Sequence, residues 1–226
     1  MVKNPIIKET AWLSPEVRVL LGTGKLETAS RRHGLNISLK SDRLAEVVYH
    51  LVKIHDIRRI VETGTFDGTG TTMTYAKTGL PVYSCEAHKK RYDDAKARLG
   101  NHKNVHLNHS FTTLAADISP QYKNQLGVEF APNAENWLAR ALNDSPHGET
   151  LLVSLDSGGD IGNKEAEIFT NWIDSLEAPR TVALILDDIF YQKHLATVPL
   201  LESKYGVDVY QVDDRWGFTV IKAGPC

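Results

Sequence analysis

The chain has 226 residues, 42% hydrophobic and 24% charged, an ordinary globular mixture long enough for one large domain with a full core. Lys plus Arg is 26 and Asp plus Glu is 28, a formal charge of −2, so no cationic excess favours nucleic-acid phosphates or an anionic membrane. The longest aliphatic run, Val182 to Leu186, is too short to span a bilayer, and Cys85 and Cys226 make no disulfide framework, so with no signal-type stretch near Met1 a cytoplasmic protein is expected.

Residues 1–40 are weakly periodic and read as a helical N-terminal extension; Ser14-Pro15 starts a helix, and Gly22 and Gly24 are stops. Residues 41–226 read as one further domain. Leu44, Val47, Val48, Leu51 and Val52 share one helical face, which predicts a helix over Asp42–His55. Arg59–Glu62 is a short strand that runs into a Gly/Thr-rich turn. Pro81–Glu86 is a second strand, Lys89–Leu99 a charged helix stopped by Gly100, and Asn104–Leu107 a third strand. Phe111–Pro132 is long for a connection and is expected to hold a short helix and a cover over the site. Helix Asn133–Asn143, strand Leu151–Leu155, helix Lys164–Glu177 and strand Thr181–Leu186 follow. Helix Thr197–Tyr205 carries Pro199 in its first turn, and strands Val207–Val212 and Phe218–Ile221 end the chain as a hairpin. This alternation predicts right-handed crossovers and a Rossmann-like, doubly wound seven-stranded sheet whose last strand is antiparallel.

Glu62-Thr63-Gly64-Thr65-Phe66-Asp67-Gly68-Thr69-Gly70-Thr71 lies between the first strand and a helix, where doubly wound sheets bind ligands. Gly64 permits a sharp turn, and Gly68 and Gly70 let backbone N–H groups approach a ligand. The spacing G-x-x-x-G-x-G is not the dinucleotide spacing, and the acid two residues before Gly64 would repel a pyrophosphate but attract an ammonium group. A tight turn with glycines for packing alone is the plainer alternative. Glu86, 22 residues after Gly64, is placed to accept hydrogen bonds from both hydroxyls of a ribose. Ser110, just past the third strand, reads by itself as a helix cap. Asp156, Asp160, Asp187 and Asp188 end the fourth and fifth strands at the same sheet edge. Converging carboxylates suit a hard cation such as Mg²⁺, which could lower the pKa of a substrate hydroxyl; capping of the next segments is the alternative.

The glycine loop together with the strand order resembles class I S-adenosylmethionine-dependent methyltransferases. The acids after the fourth and fifth strands resemble the cation-dependent O-methyltransferases of the macrocin and catechol type. The resemblance covers about Asp42 to Lys222. It implies S-adenosylmethionine as cofactor, with its methionine moiety along Glu62, Gly64, Thr65, Phe66, Gly68, Gly70 and Thr71. Glu86 would meet the ribose, Ser110 the adenine, and Asp156 the reacting end. It further implies Asp156, Asp187 and Asp188 as metal ligands, with Mg²⁺ assisting transfer to a small-molecule hydroxyl. The catechol enzymes place a lysine base three residues after the first metal aspartate; here that position is Gly159, so Lys164 or His194 is the expected base. Related folds pair through such extensions, so a homodimer is allowed. The rivals are a metal-independent N- or O-methyltransferase, a nicotinamide oxidoreductase and a non-catalytic cofactor-binding protein. A nucleic-acid substrate is not expected, with no Asn-Pro-Pro-Tyr-type motif and no basic excess.

Overall fold

In the computed structural model, described residues are 42–118, 120, 128–132, 135–158, 160–187, 189, 193, 194, 196–211 and 216–224. The expected N-terminal extension, Asp188, Gly159 and Cys226 lie outside them. Helix α1 (Asp42–His55) leads into β1 (Arg59–Thr63) and the short α2 (Thr71–Ala76). Then come β2 (Val82–Glu86), α3 (Lys89–Leu99) and β3 (Val105–His109). A 3-10 turn (Ala115–Asp117) and α4 (Trp137–Asn143) precede β4 (Leu151–Leu155), α5 (Asp160–Asp174) and β5 (Arg180–Leu186). Helix α6 (Thr197–Tyr205), β6 (Tyr210–Gln211) and β7 (Gly217–Ala223) complete the order.

The sheet runs β3-β2-β1-β4-β5-β7-β6. The first five strands are mutually parallel, and β7 lies antiparallel between β5 and β6. Six strands have five to seven residues, while β6 is a two-residue edge. Alternation along the buried strands divides the core. Ile60, Val82, Leu152, Ala183 and Ile185 face α1 and Tyr75 of α2. Val61, Val153, Leu155, Leu184 and Leu186 face α4, α5 and α6 through Leu138, Phe169 and Leu201. At about 25 cal/mol per Å² of apolar surface, these two layers are the main source of stability.

Four expectations change. Helix α4 starts at Trp137 rather than Asn133, because Glu135 is pinned to Leu114 by a bridge and Asn136 is left-handed, φ 52°. Helix α5 starts four residues earlier than expected, at Asp160, and ends at Asp174. The strand expected over Val207–Val212 shrinks to Tyr210–Gln211, with Val212 outside the described residues. Gly100 ends α3 in a right-handed conformation, φ −56°, so its freedom at positive φ is not what stops the helix.

Candidate active site

The sheet order reverses between β1 and β4, and doubly wound sheets bind ligands at such a crevice. A cavity of about 290 Å³ opens there. Gly64 lies in its wall, and the turn requires glycine twice over. Its φ is +76°, and a Cβ would sit 2.6 Å from the Asp156 carbonyl oxygen. β1 and β4 therefore approach each other only because position 64 has no side chain. Gly68, φ +77°, presses against Ala95 and Leu99 of α3. Asp67 stiffens the loop between them: its Oδ1 accepts from the backbone N–H and hydroxyl of Thr69, and its other oxygen pairs with Arg98 at 2.5 Å.

Phe66 follows the turn in a left-handed conformation, φ 57°. Its backbone N–H donates to Glu86 Oε2 at 2.8 Å, and the Arg91 guanidinium lies 4.6 Å from its ring centre. Glu86 Oε1 accepts from the His88 backbone N–H, also at 2.8 Å. Each carboxylate oxygen keeps a further lone pair. Burial pushes the Glu86 carboxyl above its usual range, opposed by those backbone donors and by Arg91. Both the Phe66 turn and Glu86 line the cavity. Farther along, Ser110, Phe111 and Phe130 form an apolar end with a polar rim. Phe111 stacks on Phe130 at 5.7 Å, and His88 meets Phe130 edge-on at 5.8 Å. Ser110 Oγ donates to the Phe111 carbonyl rather than capping a helix.

Glu62 behaves differently from its sequence reading. It is fully buried and is not part of the cavity wall. The parallel register sets Glu62 beside Ser84 and Ser154 on one face. Thr72 donates to Glu62 Oε2 at 2.7 Å and Ser84 at 2.6 Å, while Thr65 bonds Ser84 at 2.6 Å. Glu62 Oε2 thus ties the glycine loop and α2 to β2. Burial raises its carboxyl to about 7, although the hydroxyl donors favour the charged form. Thr65, Gly68, Gly70 and Thr71 also lie outside the cavity wall and shape the turn. A second buried acid, Glu165 of α5, accepts from Thr63 Oγ1 at 2.8 Å. Thr63 Oγ1 accepts in turn from the Asp156 backbone N–H at 2.9 Å, which fixes the end of β4.

Asp156 and Asp187 do converge, but on a lysine. Lys193 Nζ lies 3.3 Å from Asp156 Oδ1 and 3.4 Å from Asp187 Oδ2. Its side chain is 5% exposed and it shares the cavity wall with Asp156. Of the expected metal set, Asp188 lies outside the described residues, and the other two carboxylates already flank an ammonium. A divalent ion about 4 Å from that ammonium would be repelled by about 8 kcal/mol at an effective dielectric of about 20. Among the described residues no cluster of three or more His, Cys, Asp or Glu side chains could hold a metal. The donors among the described residues do not fit Mg²⁺ while Lys193 stays in place.

Both expected bases are displaced. Lys164 is at the surface, 2.9 Å from Glu167 and 3.8 Å from Asp117. His194 is fully buried, with Nδ1 3.5 Å from the Thr197 hydroxyl. Burial and the neighbouring Lys193 push its pKa down to about 4, so its imidazole is neutral at pH 7. Neither residue lines the cavity. Lys193 escaped the sequence reading because it sits in an irregular stretch; its spacing of six residues from Asp187 was the only signal.

No protein-family model matches the chain, and no curated protein is similar to it. Solved structures are. The O-methyltransferase from Bacillus cereus, determined with SAH, aligns with TM-score 0.54 at 15% identity over 96% of this chain and 93% of its own. A candidate O-methyltransferase from Klebsiella pneumoniae aligns at 0.51 and 15%, covering 82% of this chain and 81% of its own. A candidate caffeoyl-CoA O-methyltransferase from Staphylococcus aureus aligns at 0.51 and 12%, covering 80% and 84%. With the reversal of strand order at β1/β4 and the antiparallel β7, these matches give the chain the fold of class I S-adenosylmethionine-dependent methyltransferases.

Proposed function

We propose that the protein is an S-adenosylmethionine-dependent methyltransferase whose acceptor is a hydroxyl on a small molecule. The observation that carries this reading is Glu86: a buried carboxylate fixed by two backbone N–H groups at the cavity wall, beside the Gly64 turn. Such an acid can accept from both hydroxyls of a ribose. Gly64 and Phe66 would hold the methionine portion along the turn. Ser110, Phe111 and Phe130 would enclose the adenine. Glu62, Thr65, Gly68, Gly70 and Thr71 would act through the shape of the loop. The reading is supported by the position of Gly64, Phe66 and Glu86 in the wall of one cavity at the reversal of strand order.

When bound, S-adenosylmethionine supplies a methyl group made electrophilic by its sulfonium. The chain then has to orient the acceptor and exclude competing water. Asp156 and Lys193, which share the cavity wall with Ser110, would be polar groups facing the acceptor. The partly enclosed cavity and the net charge of −2 favour a small molecule over nucleic acid. No helix among the described residues is long and apolar enough to cross a membrane.

The test is thermal unfolding with S-adenosylhomocysteine, with NAD and without ligand. S-adenosylhomocysteine at about 100 times its dissociation constant should add about 2.7 kcal/mol, and NAD should add nothing. Stabilisation by NAD alone would replace this reading with an oxidoreductase.

A further inference from the structure

We propose that the Lys193 ammonium is the resident cation of this site, held where a divalent metal ion would otherwise stand, and that acceptor chemistry here needs no metal. The proposal rests on the methyltransferase reading for its purpose, and on three geometric facts for its substance. First, one Nζ bridges carboxylates from the ends of two adjacent strands, Asp156 after β4 and Asp187 after β5. Second, the lysine stem has a place built for it. Gly162 of α5 has no side chain, and a Cβ there would lie 2.7 Å from Lys193 Cβ and 3.2 Å from its Cδ. Third, Lys193 and Asp156 both line the cavity, whereas Asp187 does not and is 1% exposed. The ammonium is therefore anchored to two carboxylates on a side chain that lines the cavity wall.

A tethered ammonium can do part of a metal ion's work. It donates hydrogen bonds to the acceptor oxygen and stabilises negative charge on it within a cavity partly screened from water. In the transfer, the acceptor O–H proton passes to water and an oxygen lone pair forms the new O–CH₃ bond. The C–S bonding pair stays on sulfur, which becomes a thioether. Lys193 is unchanged at the end. Asp187 and Gly162 are positioning residues for it.

The experiment is Mn²⁺ binding followed by electron paramagnetic resonance, with S-adenosylhomocysteine affinity measured on the same samples. The wild-type protein should show no Mn²⁺ site that Asp156→Asn abolishes, up to about 1 mM. Lys193→Met should gain one Mn²⁺ site at least about tenfold tighter, and Lys193→Met with Asp156→Asn should lose it again. Gly162→Ala, which pushes the stem out of its notch without removing the charge, should also admit Mn²⁺ and serves if Lys193→Met does not fold. An Asp156-dependent site in the wild type overturns the proposal, as does a folded Lys193→Met protein that gains none. The cofactor reading fails separately: loss of S-adenosylhomocysteine binding with the Mn²⁺ pattern intact leaves the lysine assignment standing.

Discussion

Glu86 and Glu62 are both buried acids at strand ends, yet their surroundings assign them different work. Glu86 lines the cavity and accepts from the backbone N–H groups of Phe66 and His88. Glu62 lies outside the cavity wall and accepts from Thr72 and Ser84 through one oxygen, Oε2. Replacing Glu86 by Gln removes the charge and turns one acceptor oxygen into a donor. A hydrogen bond to a charged group contributes about 1.5–3 kcal/mol, so S-adenosylhomocysteine should bind at least about tenfold more weakly. Isothermal titration calorimetry on Glu86→Gln, beside the exposed control Glu135→Gln, measures this. An affinity within about twofold of the wild type would remove Glu86 from the cofactor site. The position of Glu86 at the end of its strand and in the cavity wall was legible because a strand end after a glycine loop lies at the switch-point edge of a doubly wound sheet. The burial of Glu62 was not legible, because face and burial follow from register, and the pairing Glu62–Ser84–Ser154 exists only once three strands lie side by side.

At the scale of elements, alternating β-branched strands and amphipathic helices were legible because burial on both sides of a sheet leaves a continuous apolar run. Helix Asp42–His55, strand Leu151–Leu155 and helix Thr197–Tyr205 stand where periodicity sets them. The start of α4 was not legible, since the Leu114–Glu135 bridge that delays it is a contact 21 residues apart. Lys193 was missed for the same reason: its partners come from two strands, and no local period marks it. The glycine turn is the connection where local and distant requirements coincide, and this gives a sharp comparison. Gly64 and Gly79 have nearly equal dihedrals, φ +76° and +77°, but a Cβ at Gly79 would meet nothing within 4 Å. Gly79→Ala should therefore cost only the left-handed penalty, about 1–2 kcal/mol. Gly64→Ala adds a collision with the Asp156 backbone at 2.6 Å that neither strand can relieve alone. Urea unfolding should show Gly64→Ala losing at least about 2 kcal/mol more than Gly79→Ala, with S-adenosylhomocysteine affinity falling only in the former. Equal losses would mean that the β1–β4 approach is not what demands glycine.

For the whole molecule, the buried titratable groups pull stability in opposite directions with pH. His194 titrates near 4 in the native state against 6.5 in the unfolded chain. Between those values the unfolded chain holds a proton that the native state refuses, so stability rises with pH. That contribution is complete above about 6.5 and is lost as pH falls towards about 4. Glu62 does the reverse. It titrates near 7 when folded and 4.5 when unfolded, so the native state holds the extra proton and stability falls as pH rises from 4.5 to about 7. Each shift corresponds to about 3 kcal/mol, and burial of Glu86 and Glu165 adds to the Glu62 side. Removing one group should unmask the other. Glu62→Gln should gain on the wild type by up to about 3 kcal/mol as pH rises through the 4.5–7 window, because its fall is gone and the His194 rise remains. His194→Gln should do the opposite, losing relative ground as pH rises from about 4 to 6.5. Urea midpoints collected from pH 4.5 to 7.5 on the three proteins read this directly. Parallel curves for Glu62→Gln and the wild type would mean that Glu62 is already charged in the native state. The hydroxyls of Thr72 and Ser84 would then be outweighing its burial, and the loop would rest on a buried anion instead of a neutral acid.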